Sequence, residues 1–155
     1  MLTWCALAFS FAIPSFAQVE KAAIRTTGIS CGTCAALSEI YLRRLPQIDK
    51  IAISMSKESI LVSYKPGAEF RPKDLRDALA KTDVGIVQLQ ISVRGQLQQQ
   101  GTKQFFLAGK DKFTLVDSAN AAQIPRDTPI LIEGILNDKA APMELKVMTV
   151  TRLKQ

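Results

Sequence analysis

The stretch "GIVQLQISVRG", residues 85–95, decides how this chain is organised. Val87, Leu89, Ile91 and Val93 alternate with Gln88, Gln90, Ser92 and Arg94. That period of two belongs to a half-buried β-strand. The run continues past Gly95 to Leu97 before three glutamines, Gln98 to Gln100, and Gly101 end it. Gly95 is thus a candidate boundary with no linker, and the modules on either side share or abut along this strand.

Working upstream, "VEKAAIRTTG" (19–28) alternates well enough for a strand ending in a turn. From Cys34 onward, Leu37, Ile40, Tyr41 and Leu45 recur at helical spacing until Pro46 stops the run. "IDKIAISMS" (48–56) places Ile51, Ile53 and Met55 on one face, and "ESILVSYKPG" (58–67) reads as its hairpin partner. Pro72 stands where a first helical residue belongs, and "KDLRDALAKT" (73–82) carries Leu75, Ala78, Leu79 and Thr82 on one side. Residues 18–94 therefore read strand, helix, strand, strand, helix, strand. This is a ferredoxin-like βαββαβ domain with two helices covering an antiparallel sheet.

Working downstream, residues 95–155 carry short apolar segments: "KQFFLA" (103–108), "KFTLVD" (112–117), "TPILIEGIL" (128–136) and "ELKVMTVTRL" (144–153). "SANAAQIP" (118–125) predicts one short helix capped by Ser118. With the tail of the 87–97 run, these segments suit a small all-β, OB-like barrel domain. Phe105, Phe106 and Phe113 read as core, with a binding face as the alternative. The fold class expected is α+β, two modules in series.

Residues 1–17, "MLTWCALAFSFAIPSFA", contain no charge, have an apolar core from Ala6 to Ile13, and end small-x-small. They read as a signal peptide cleaved before Gln18, which predicts a periplasmic or otherwise exported protein. A membrane anchor formed by this segment, left uncleaved, is the alternative. Net charge is +6, spread as 12 Lys+Arg against 8 Asp+Glu over 18–94 and 8 against 6 over 95–155. No basic cluster alternates with aromatics, so nucleic acid is not an expected partner. No phosphate-cradling loop or catalytic carboxylate pair appears, and the chain has no histidine. An enzyme is not expected.

The chemistry concentrates in "TTGISCGTCAALSEI", residues 26–40. Excluding Cys5 of the leader, only Cys31 and Cys34 remain. A disulfide at this spacing closes too small a loop to act as much of a staple. Cys31 falls on a loop and Cys34 in or just before the first helical turn, where unpaired N–H groups and the helix dipole favour thiolates. Gly28 and Gly32 let the loop fold over, and Ile29 packs inward as a peg. Two soft sulfur ligands suit Cu(I), and Hg(II) shares that preference. Zn(II) would need two further ligands.

Gly28-Ile29-Ser30-Cys31-Gly32-Thr33-Cys34, with the element order around it, resembles the heavy-metal-associated domain family over about residues 19–93. That family includes copper chaperones and periplasmic mercuric-ion binding proteins; residues 95–155 lie outside the resemblance. The family usually has Met where this chain has Ile29. By the same resemblance, "AKTDVG" (80–85) makes Lys81 the cation that offsets a two-thiolate complex, although Asp83 stands where the family often has Gly. Such a lysine is also ordinary helix-end complementation.

The function expected is thus soft-metal binding and transfer or sequestration, Cu(I) first, using Cys31 and Cys34. Its partner would be a metal-donor or metal-acceptor protein, such as a membrane transporter domain. The rival readings are a mercuric-ion binder, a thiol–disulfide redox protein, and an adaptor dominated by the carboxy-terminal β domain.

Overall fold

A computed structural model of the chain describes residues 17–116, 124–126 and 128–154. The leader segment with Cys5, and most of the helix read over 118–125, lie outside the described residues. The elements run β1 (Gln18–Thr27), α1 (Gly32–Arg43), β2 (Ile48–Ser54), β3 (Ser59–Tyr64), α2 (Pro72–Ala80), β4 (Gly85–Gln100), β5 (Lys103–Ala108), β6 (Asp111–Val116), β7 (Ile130–Asn137) and β8 (Met143–Arg152).

The expected class, an α+β chain with a ferredoxin-like βαββαβ domain followed by a small OB-like barrel domain, is corrected by this architecture. The protein is mostly β, 53% strand against 16% helix, with eight strands and a closed five-stranded barrel. Among the described residues there are two helices. All eight strands belong to one sheet, ordered β2-β3-β1-β4-β5-β6-β8-β7, and β7 returns to pair with β4.

The physical reason lies in β4, a single strand of 16 residues whose buried positions alternate from Leu89 to Leu97. Along Gly85–Arg94 it pairs antiparallel with β1. From Gln96 to Gln100 it pairs with β5, while Gln90–Gly95 also pairs with β7. Gly95, read as a boundary, therefore lies inside a strand. A side chain there would overlap the Leu107 carbonyl of β5, so this close approach requires glycine. The barrel closes through β5–β6, a parallel β6–β8 pair and the β7–β8 hairpin.

The core is continuous as well. Ala22, Ile24, Ile60, Val62, Leu89 and Ile91 from the first strands join Phe106, Phe113, Ile130, Ile132 and Leu145 of the barrel in one buried cluster. Each such side chain contributes about 1.5–3 kcal/mol on burial. Phe70, just ahead of α2, bridges the halves: its ring lies 5.6 Å from Tyr64 and 6.4 Å from Phe113. Phe105, Phe106 and Phe113 are core residues. Arg76 of α2 adds a polar tie, donating from Nε and Nη2 to both carboxylate oxygens of Asp138 at 2.6 Å.

The helices differ in how well periodicity placed their faces. In α2, Pro72 opens the helix, Leu75, Ala78 and Leu79 are buried along it, and Thr82 just beyond it is buried too. In α1 the buried positions are Ser38 and Leu42, while Leu37 and Ile40 are 41% and 47% exposed. Half of the expected apolar stripe is thus turned outward, while its other two members, Tyr41 and Leu45, pack partly buried against the core. One cause is a hydrogen bond: Ser38 Oγ lies 3.1 Å from Thr82 Oγ1, and the Thr82 hydroxyl donates to the Leu79 carbonyl. The hydroxyl pair, satisfied internally, occupies the place where an apolar contact was expected.

Asp111 opens β6 at the same junction. Burial raises its pKa to about 6, opposed by a backbone hydrogen bond from Phe70 and reinforced by the charge of Glu69. Between the ordinary carboxylate range and about pH 6, the folded chain holds a proton that the unfolded chain has lost. Stability therefore falls as pH rises through that window.

Two outcomes follow for the fold. Asp111→Asn, which keeps an acceptor for the Phe70 N–H, raises Tm relative to the wild type at pH 7, and the difference shrinks toward pH 4. Thermal melts at both values check this, and an equal difference at both would contradict it. Gly95→Ala costs about 1–3 kcal/mol, and wild type and variant each unfold in a single transition. Separate melting of residues 18–94 and the barrel in calorimetry would contradict the shared core.

Candidate functional site

The loop between β1 and α1 carries Cys31, Cys34 stands in the first turn of α1, and the loop is anchored from both sides. Thr26, at the end of β1, donates from its N–H and its hydroxyl to the Glu58 carbonyl, at 2.8 and 2.9 Å. Gly28 follows with φ +86°, and a Cβ there would lie 3.3 Å from the Asp83 carbonyl oxygen. The cysteine loop therefore rests on the turn between α2 and β4. Asp83 itself has φ 56°, a region that Asp tolerates better than most residues. Ile29 is completely buried, so it serves as the peg beneath the loop.

Above that peg the loop is open. Ser30, Cys31, Gly32 and Thr33 are exposed, and Cys34 is half-buried against the core. Nothing lies within 4 Å of where a Cβ on Gly32 would sit. The helix begins at Gly32, two residues earlier than its apolar run, because Cys31 is the N-cap. Cys31 has extended φ/ψ, −96° and 139°, and its Sγ accepts the Cys34 N–H at 3.0 Å. Its carbonyl accepts the Ala35 N–H, also at 3.0 Å. Sulfur here takes the position that Ser or Asp oxygens usually occupy at helix starts.

The two sulfurs meet as a disulfide, with Cα atoms 5.2 Å apart. Sequence reading pictured two thiolates sharing an ion; the structure holds the same pair covalently joined. In this form neither sulfur is a thiolate ligand. The first turn of α1 carries no acidic residue. The helix terminus itself favours negative charge there. Among the described residues, no three His, Cys, Asp or Glu side chains gather as metal ligands. An ion held at this pair would draw on two sulfurs and otherwise on water or another molecule.

Lys81 forms the C-cap of α2, and its ammonium lies 5.4 Å from the centre of the Tyr41 ring. The Arg44 guanidinium lies 4.9 Å from the same ring. Tyr41 is seven residues beyond Cys34, about 10 Å along a helix rising 1.5 Å per residue. The gathered set is thus Gly28 to Cys34 over the Asp83 turn, while Lys81 flanks Tyr41 in a cation–π arrangement. Sequence reasoning missed Cys31 as a cap, the Ser38–Thr82 hydroxyl pair and the left-handed Asp83. A signal for two of these was present: Thr82 lay on the apolar side of α2, and Asp83 precedes Val84-Gly85 at a helix end.

Among the described residues, no helix is long and apolar enough to cross a membrane. Compared with known proteins, the chain matches no family model and no curated protein.

Proposed function

We propose that this chain, with the Cys31–Cys34 bond reduced, binds one soft cation, copper(I) first, and hands it to a partner thiolate. The observation that supports this is the pairing itself. Two sulfurs converge at an exposed helix mouth, on a loop pinned by Ile29 and the Asp83 turn, with no carboxylate in the first turn. Soft thiolates select Cu(I) over harder ions, and Hg(II) shares the preference. The resemblance behind the proposal rests on the Gly28–Cys34 motif, and the five-stranded barrel lies outside it.

Each residue then has a defined part. Cys34, half-buried on the helix, is the anchored ligand. Cys31, exposed at the cap, is the ligand that receives and releases the ion first. Its negative charge is met by the Cys34 N–H, which already points at Cys31 Sγ, and by the helix terminus. A thiolate from a donor or acceptor protein, such as a transporter domain, enters beside Cys31, so the cargo passes by ligand exchange without becoming free. An exported, periplasmic setting for this exchange is part of the same proposal.

The disulfide favours a second reading, that of a thiol–disulfide exchange protein. The two are separated by measurement. Reduced protein, freed of reductant without air, is titrated with Cu(I), Hg(II) and Zn(II) against a competing chelator. One Cu(I) per chain is expected, held in preference to Zn(II). Cys31→Ser and Cys34→Ser each weaken Cu(I) binding by more than about 100-fold, roughly 2.7 kcal/mol. Cys31→Ser retains a good helix cap, so its loss of binding is not a loss of fold. Full affinity in both variants would place the site elsewhere. Catalytic reduction of a test disulfide with negligible metal affinity would favour the second reading.

A further inference from the structure

We propose that the open face of the β2-β3-β1-β4 sheet, which carries Lys21, Arg25 and Lys50 around Leu61, lies on an anionic lipid bilayer. This surface uses neither cysteine, so it stands or falls apart from the metal-binding reading above.

Strand register fixes which side chains share the face. Lys50, Ser63 and Lys21 form one row across β2, β3 and β1. Ala52, Leu61 and Ala23 form the next, and Arg25 is opposite Ser59 in the third. Along β4 the same rows continue as serine and glutamine. Side chains alternate across a strand, and the intervening positions, such as Ala22, Ile24, Ile60 and Val62, are buried in the core with the helices. The rows therefore point away from α1 and α2, and Lys21, Arg25, Lys50 and Leu61 are all exposed.

The charge on this face has one sign. No carboxylate stands in the three rows across β2, β3 and β1. Glu20 lies at a register irregularity of β1 and pairs with Arg94 at 2.6 Å. Asp49 lies at the irregularity of β2. Glu133, beyond Ser92 on β7, accepts from the Ser92 and Thr149 hydroxyls. Among the described residues, Lys21, Arg25 and Lys50 form no ion pair. Their complement is a surface of negative charge.

Size and chemistry choose among anionic partners. Four strands about 4.8 Å apart, with Lys21 and Arg25 roughly 14 Å apart along β1, make a patch of about 350 Å². That is less than half of the roughly 800 Å² that each partner buries in a stable protein complex. These rows hold no aromatic ring on which a nucleic-acid base could stack. A bilayer requires neither a large area nor a fitted shape, because mobile headgroups gather under each cation. Each Lys or Arg then adds about fivefold to partitioning. Leu61, 41% exposed between two alanines, gives the patch an aliphatic centre at headgroup level. Arg25 precedes Thr27 and the cysteine loop, so docking leaves that loop at the rim and the helices facing solvent.

The test uses the full chain and reads which face is covered, since residues 1–17 are themselves apolar. An amine-reactive ester is applied with and without vesicles, and the labelled lysines are mapped by mass spectrometry. Phosphatidylcholine vesicles with about one-third phosphatidylglycerol are expected to cut labelling of Lys21 and Lys50 at least about fivefold. Lys73 and Lys81, on α2 and its C-cap, keep their labelling. Phosphatidylcholine alone protects neither face, and about 0.5 M salt abolishes the protection. The combined variant Lys21→Gln, Arg25→Gln, Lys50→Gln changes exposed side chains only. It lowers the ratio of partitioning onto anionic over neutral vesicles by at least about tenfold, with an unchanged Tm. Equal protection of all four lysines, protection by neutral vesicles, or an unchanged ratio in the variant overturns the assignment. Protection by soluble polyglutamate that matches the vesicles at equal charge overturns it in favour of an acidic protein.

Discussion

Hydrogen bonding along both edges of β4 is the constraint on which the rest of this molecule depends. One edge carries β1 and then β5, and the other carries β7, within a single strand of 16 residues. No register shift of β4 is available that keeps Leu89, Ile91, Val93 and Leu97 inward, since a one-residue slip would turn every one of them to solvent. The two helices, the barrel and the cysteine loop are all placed relative to this strand. The mostly-β character of the chain follows from it, because each described strand beyond Gly95 extends the same sheet.

The cysteine loop inherits its rigidity from that frame. It leaves β1 where β1 pairs with the beginning of β4, since Thr27 is opposite Gly85. It presses on the Asp83 turn that feeds into β4, so the turn and the loop are fixed by the same pairing. A small, exposed disulfide therefore sits at an edge held by this pairing. The bond between the sulfurs is local, whereas the position of the sulfurs is not.

Much of the local structure was legible. Pro72, the alternation from Leu89 to Leu97, and the Leu75-Ala78-Leu79 face of α2 all lie where their periodicity put them, whereas Val87, beside a register irregularity in the β1–β4 pairing, is exposed. The strands around Phe105, Phe113 and Ile132 also lie where their pattern put them. The α+β, ferredoxin-like class was overturned because two helices weighed too heavily beside eight strands that join in one sheet. Gly95 was legible as a point inside a shared strand, but not as the place where the Leu107 carbonyl approaches, since that neighbour is not local in sequence. The face of α1 was misplaced for a related reason. Ser38 is buried because Thr82, 44 residues away, supplies its hydrogen-bond partner, and nothing within one turn of Ser38 announces that partner. Lys81 likewise goes to Tyr41, a ring contributed by the other helix.

Residue order alone was enough to locate Cys31 and Cys34 at a strand-to-helix turn, with Gly28 as the pivot and Ile29 as the buried peg. It could do so because turn chemistry, helix capping and side-chain period act over a few neighbouring residues. The choice of strand partners, the closure of the barrel, the continuity of the core and the outward face of Leu37 and Ile40 were settled only in three dimensions. Those features arise from contacts between residues far apart in the chain. Such partners are selected by the hydrogen bonds and apolar area that the assembled molecule satisfies together.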